Sequence, residues 1–180
     1  EWRESAYYLL GKSQFYLKKY PEVRNILKEF KVQFPFSTLI DDAVFLIGES
    51  FYEESNFVLA AEQFAKIADD FPKSELLNRA NYWAGESYFE IPDYEKAAYS
   101  YSQVINSNED DLKDYAYYSI GWSNLLNKNY TKAISAFQLL INAFPESDLI
   151  SDAKFKIGES YWRNKEYQST IEILSSIDMS

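Results

Sequence analysis

The chain contains neither cysteine nor histidine. Without cysteine it can form no disulfide and no thiolate metal site. Without histidine it lacks the side chain that most often moves protons or ligates metals near neutral pH. A thiol-free chain is stable in either redox setting, so the compartment stays open. No run of about 18 apolar residues occurs, so no segment reads as a membrane span. There is no glycine-rich phosphate loop, no Ser/Lys pair and no nucleophile elbow, and no alternating oxygen ligands around a glycine to suggest a calcium loop. The chain starts at Glu1 with no signal-like segment, and it reads as an excerpt from a longer protein.

Apolar residues make up 47% of the chain, enough for a folded core. The net charge of −10 is unevenly spread. Residues 1–37 carry +3, residues 38–74 carry −6 and residues 75–110 carry −5, whereas residues 111–147 balance and residues 148–180 carry −2. The acidic middle would repel phosphates, which argues against nucleic acid and against anionic lipid at residues 38–110.

The five glycines carry the organisation. Gly11, Gly48, Gly85, Gly121 and Gly158 are spaced 37, 37, 36 and 37 apart. Alanine stands five residues before each (Ala6, Ala43, Ala80, Ala116, Ala153), and serine stands two after. A fixed period of this size marks a repeat array. The repeats fall at about 1–36, 37–73, 74–109, 110–146 and 147–180 of one array.

Each repeat reads as two helices. Apolar residues recur at three-and-four spacing in Ser37 to Glu54 and again in Asn56 to Phe71. The polar junction Glu54-Ser55-Asn56 is short, so the two helices must run antiparallel. Helix A is expected at about 2–18, 38–54, 75–90, 111–127 and 148–164. Helix B is expected at about 20–34, 56–71, 94–107, 129–143 and 166–178. Pro35-Phe36-Ser37, Pro72-Lys73-Ser74 and Pro145-Glu146-Ser147 share one design: proline stops a helix and serine caps the next. Pro92-Asp93 does the same inside the third repeat. Between the third and fourth repeats that turn is replaced, and Asp110 takes the capping position. The glycines sit mid-helix, where each costs about 1 kcal/mol against alanine. Close approach of helix B is the return expected, with Ile47, Ile120 and Ile157 filling the space beside the gap.

Small-x₂-Leu-Gly-x₂-Tyr followed by aromatic, alanine, aromatic and proline at set offsets resembles the tetratricopeptide family. Gly48, Phe51, Phe57, Ala60, Phe64 and Pro72 carry the match, as do Gly85, Tyr88, Tyr94, Ala97 and Tyr101, and Gly121, Tyr130, Ala133, Phe137 and Pro145. The resemblance implies an all-α fold, a right-handed α-solenoid of five antiparallel helix pairs. A narrower likeness lies in Phe34-Pro35-Phe36-Ser37, Asp42-Ala43 and Ile47-Gly48-Glu49-Ser50-Phe51, with counterparts from Phe144 to Tyr161. It resembles the tetratricopeptide subtype of bacterial envelope proteins, such as the TolA-binding cell-division coordinator and the lipoprotein of the outer-membrane β-barrel assembly machine. It implies a periplasmic or envelope-associated protein, with a cytoplasmic one remaining open.

Helix A should line the concave face, at positions three before, one after and four after each glycine. Three before gives Tyr8, Phe45, Tyr82, Tyr118 and Phe155. One after gives Lys12, Glu49, Glu86, Trp122 and Glu159. Four after gives Phe15, Tyr52, Phe89, Leu125 and Trp162. For any single aromatic, packing between repeats is the simpler reading. For the whole stripe a binding surface is the better one, because aromatics beside a charge suit interface anchoring. The peptide groove is therefore assigned to Tyr8, Phe45, Glu49, Tyr52, Tyr82, Glu86, Phe89, Tyr118, Trp122, Phe155, Glu159 and Trp162. Its expected ligand is a protein segment, a peptide or helix with basic and apolar residues. Chaperone-binding relatives grip a C-terminal carboxylate with lysine and asparagine on this stripe; aromatics and glutamates stand here instead, which argues against that activity.

The expected function is a non-catalytic interaction scaffold in a bacterial cell-envelope assembly, with no cofactor and no metal. Carboxylate pairs such as Glu49 with Glu53 read as solvated helix faces rather than catalytic or metal sites. Two alternatives stay open. The array could recruit substrates or partners for a larger enzyme. It could also self-associate through its C-terminal face, where Ile171 to Ile177 stays apolar with no polar capping helix after it.

Overall fold

The computed structural model describes residues 2–108 and 111–177. Among the described residues the regular elements are helices. They are α1 (Trp2–Tyr16), α2 (Tyr20–Gln33), α3 (Ile40–Glu53), α4 (Phe57–Asp70), α5 (Leu77–Glu90), α6 (Tyr94–Ile105), α7 (Lys113–Leu126), α8 (Tyr130–Ala143), α9 (Ile150–Arg163) and α10 (Tyr167–Ser175). Odd-numbered helices are helix A of a repeat and even-numbered ones helix B, as the periodicity requires. One compact unit runs to Ile91 and a second starts at Pro92. In the first, α1 to α5 pack in sequence and α1 also touches α3. In the second, α6 to α10 pack in sequence and α7 also touches α9. None of these helices is long and apolar enough to cross a membrane.

The chain reverses between helix A and helix B through one residue seven positions after the glycine. Lys18, Ser55, Lys128 and Lys165 adopt φ of 57, 58, 62 and 66°. The amide of the next residue then returns to the end of helix A: Asn56 N–H donates to Phe51 C=O and Asn129 N–H to Asn124 C=O, both at 2.8 Å. This six-to-one closure satisfies carbonyls that the helix end would otherwise orphan. Glycine favours such backbone, yet every glycine of this chain is spent inside a helix, so lysine and serine stand there at a cost.

The turns from helix B to the next helix A differ from expectation. The helices start two residues late, at Ile40, Leu77 and Ile150, and the capping position falls to Leu39, Leu76 and Leu149. Ser37, Ser74 and Ser147 lie outside the helix. Their hydroxyls accept from the amides of those leucines at 3.3, 3.0 and 3.3 Å, holding a turn that leads into the helix. Two of them also reach one repeat back: Ser74 Oγ donates to Asp41 Oδ2 at 2.6 Å and Ser147 Oγ to Asp114 Oδ2 at 2.7 Å. A serine that donates to the preceding repeat while accepting within its own turn sets the register between repeats. The cap at Asp93 forms as read, its carboxylate accepting from Lys96 N–H at 3.2 Å. The capping role assigned to Asp110 lies outside the described residues.

The glycine gap exists, and helix B approaches closely there, as expected. A Cβ added at Gly48 would lie 2.8 Å from the Phe64 ring, and one at Gly121 would lie 2.6 Å from the Phe137 ring. At Gly11 and Gly158 it would meet Leu27 and Leu174 at 2.7 and 2.4 Å. Across the gap stands one large side chain of helix B, sixteen residues on. Phe64 and Phe137 are themselves buried at the centres of the cores. Phe64 cannot retreat, because Phe45 lies against it at 5.2 Å between ring centroids and Trp83 stacks on it at 6.4 Å. Gly48→Ala should therefore destabilise the fold. Overpacking costs about 1–3 kcal/mol, against a helix-propensity gain of about 1 kcal/mol. Phe64→Leu should cost less in the Gly48→Ala background than alone. A denaturant-unfolding cycle checks this, and additive effects would refute the account of the gap.

Candidate protein-binding surface

The helix A stripe is built by the same glycine phase that builds the core. In the first unit it brings three of the assigned residues around one recess. Tyr8 of α1 and Phe45 and Glu49 of α3 line a space of about 250 Å³, together with Lys12, Phe15 and Tyr16 of α1, Asp42 and Leu46 of α3, and Leu76 and Arg79 at the start of α5. Phe45 is closed off from solvent, only 4% exposed, and joins the core around Phe64. The Arg79 guanidinium lies over its ring at 4.7 Å and approaches Glu49 at 4.0 Å. Lys12 Nζ stands 6.0 Å from the Tyr8 ring. Tyr52 is half-buried, edge-on to Phe57 at 5.1 Å and to Trp83 at 5.0 Å. Tyr82, Glu86 and Phe89 are half-buried along α5.

In the second unit Tyr118 and Trp122 stand on α7, and Phe155, Glu159 and Trp162 on α9. Lys156 lies between them. Its ammonium sits 3.7 Å over the Trp122 ring and 5.4 Å from that of Phe155, and it bonds Glu159 at 3.2 Å. Arg163 donates twice to Glu159, at 3.0 and 2.7 Å. Tyr118 donates to Asp152 and packs edge-on against Phe137. Phe155 and Trp162 remain open to solvent, at 49% and 60% exposed.

The stripe thus divides into two kinds of position. Phe45, Tyr52, Tyr118 and Trp122 join one repeat to the next, while Phe155 and Trp162 offer free aromatic surface. Its carboxylates are also less bare than the sequence implies, since Glu49 and Glu159 each face a cation of the same chain. Burial alone would raise Glu159, but its hydrogen bonds from Arg163 and Lys156 outweigh this and hold it below the usual range. Glu49 moves the other way: burial raises it, Arg79 opposes and Glu53 adds to the rise. The stripe reading missed Asp42, Arg79 and Lys156. Asp42 and Arg79 stand six before their glycines, one turn further along the same face, so extending the stripe by a turn would have found both. Lys156 stands two before its glycine, between the stripe positions, and only the placement of α9 against α7 sets it on Trp122.

The tyrosines of this face give the fold an alkaline limit. Burial pushes Tyr8 up to about 12, with Asp42 and Glu49 adding to the rise. Burial also pushes Tyr52 up to about 12, helped by Glu86 and Glu90. The folded chain therefore holds these protons more tightly than the unfolded one does. Their contribution is intact below the unfolded tyrosine pKa of about 10 and is lost as pH rises from there to about 12. Unfolding free energy measured from pH 9 to 12 should fall, and Tyr8→Phe with Tyr52→Phe should flatten that fall. An unchanged slope in the double variant would contradict it.

Comparison with known proteins bears on the family and the fold. Two family models described as "Tetratricopeptide repeat" match residues 5–37 and 45–111. A third, YfiO, described as "Outer membrane lipoprotein", matches residues 110–176. No curated protein matches the chain. Among solved structures, one described as a crystal structure of MamA superposes with a TM-score of 0.79 at 18% identity, covering 96% of this chain and 88% of that one. MamA from Desulfovibrio magneticus RS-1 gives 0.75 at 18% identity, with 97% and 92% covered. A putative kinesin light chain from Podospora anserina with TPR-like repeats gives 0.70 at 10% identity, with 97% and 92% covered. At these identities the structural likeness speaks for the fold.

Proposed function

Since the chain belongs to the tetratricopeptide-repeat family, we propose that it is a non-catalytic scaffold that holds a peptide or helix of a partner protein against its A helices. The observation that carries this reading is the recess in the first unit, where residues 37 positions apart, Tyr8 and Phe45, meet around one space with Glu49. The exposed rings of Phe155 and Trp162 on α9 support it, because large rings with a nearby charge anchor interfaces. The surface suits apolar partner residues with charged neighbours. A place in a bacterial cell-envelope assembly, periplasmic or envelope-associated, draws support from the outer membrane lipoprotein match over residues 110–176.

Crosslinking capture from a bacterial envelope extract tests the surface. The chain should recover a protein partner, and a variant with Glu49, Glu86 and Glu159 changed to Lys should lose it. Trp162→Ala should weaken recovery several-fold without changing the melting temperature, since its ring is mostly in solvent. Equal recovery by all three proteins would overturn the reading.

A second reading has its own observation. No residue of α10 is buried, and Tyr167 and Ile171 are exposed at 58% and 61%. That apolar face supports self-association through α10. Light scattering across a concentration series should then show growth in mass, reduced by Ile171→Lys; a concentration-independent monomer would exclude it.

A further inference from the structure

The recess in the first unit carries charges of both signs on three helices: Lys12 on α1, Asp42 and Glu49 on α3, and Arg79 on α5. They are not all answered within the chain. Arg79 is committed to the Phe45 ring and, loosely, to Glu49. Among the described residues, Asp42 Oδ atoms accept no hydrogen bond and join no ion pair, and Lys12, 6.0 Å from the Tyr8 ring, acts on Asp42 and Glu49 only through space, without a hydrogen bond or ion pair. Burial raises the Asp42 pKa, with Asp41 adding, even though Lys12 and Arg79 oppose it. A lone cation entering this space would meet Lys12 and Arg79. A lone anion would meet Asp42 and Glu49. In a partly desolvated recess such like-charge contacts weigh several-fold more than in water.

A ligand carrying one charge of each sign avoids both penalties. About 250 Å³ holds two side-chain heads but no second helix backbone. We propose that this recess reads a dipolar pair on the bound segment, a basic and an acidic side chain presented together from one face. The basic head pairs with Asp42 and the Tyr8 hydroxyl, and the acidic head pairs with Lys12 and the outer edge of Arg79. The proposal rests on the scaffold reading and narrows its ligand from basic to charge-paired.

The test uses the 180-residue chain and capped tripeptides followed by amide NMR shifts. In an extended peptide, side chains two apart share a face, so acetyl-Lys-Leu-Glu-amide presents the pair. Acetyl-Lys-Leu-Gln-amide and acetyl-Gln-Leu-Glu-amide present one charge each. The dipolar peptide should saturate shifts around Tyr8, Asp42 and Arg79 with a Kd at least five-fold below either single-charge peptide. That preference should fall below two-fold in Asp42→Asn and in Lys12→Gln, whose melting curves report on folding. Equal binding of the Lys-Leu-Gln peptide, or no saturable shift with any peptide, overturns the proposal on the unaltered chain alone. Tight binding of free leucine would mark an amino-acid site and overturn it as well. Failure here with partner capture still lost in the groove variants leaves the scaffold standing. A clear dipolar preference with unaffected capture removes the scaffold reading instead.

Discussion

One contact governs the rest: a large side chain of helix B set into the space where helix A has glycine. Phe64 against Gly48 and Phe137 against Gly121 are its clearest forms. The contact fixes the rotation of helix A about its axis. Once that rotation is set, positions three before and one and four after the glycine are carried to a common face. Core and candidate surface are two consequences of one packing constraint. The glycine costs about 1 kcal/mol of helix propensity, and burial of a phenylalanine, worth about 1.5–3 kcal/mol, offsets it.

Besides the apolar cores, which run from a helix B into the next helix A, polar and aromatic contacts join the repeats. Ser74 to Asp41 and Ser147 to Asp114 link a turn to the helix A one repeat earlier. Arg79 on Phe45 and Lys156 on Trp122 link successive A helices through the groove side. These cations change the character of the surface. An acidic, aromatic stripe in sequence becomes, within each unit, a surface whose aromatics and carboxylates are partly shared with cations of the next repeat. A mosaic of charges, unlike a uniform field, is a surface that favours selectivity over raw affinity.

Much of this was legible from the residues. The period of the glycines set the helix count and pairing, and Gly11, Gly48, Gly121 and Gly158 mark the same packing event. Helix B boundaries followed from its apolar spacing, as at Phe57 to Asp70. The helix A starts were less legible, because a serine after Pro-x looks like a cap whether it sits at the helix end or in a turn before it. The left-handed residues Ser55 and Lys128 gave no signal, since neither is glycine or asparagine. The candidate site was half legible. Tyr8, Phe45 and Glu49 share the stripe phase, so spacing found them. Lys156 is placed by the packing of α9 on α7, which no single helix's periodicity contains.

The central claim is that the A helices present the binding face. Hydrogen exchange of the chain alone and with its captured partner tests it most directly. The account predicts slowed exchange in α1, α3 and α9, where Tyr8, Glu49 and Trp162 stand, with α2, α4 and α8 unchanged. Protection confined to α2, α4 and α8, with the A helices exchanging as in the free chain, would contradict it.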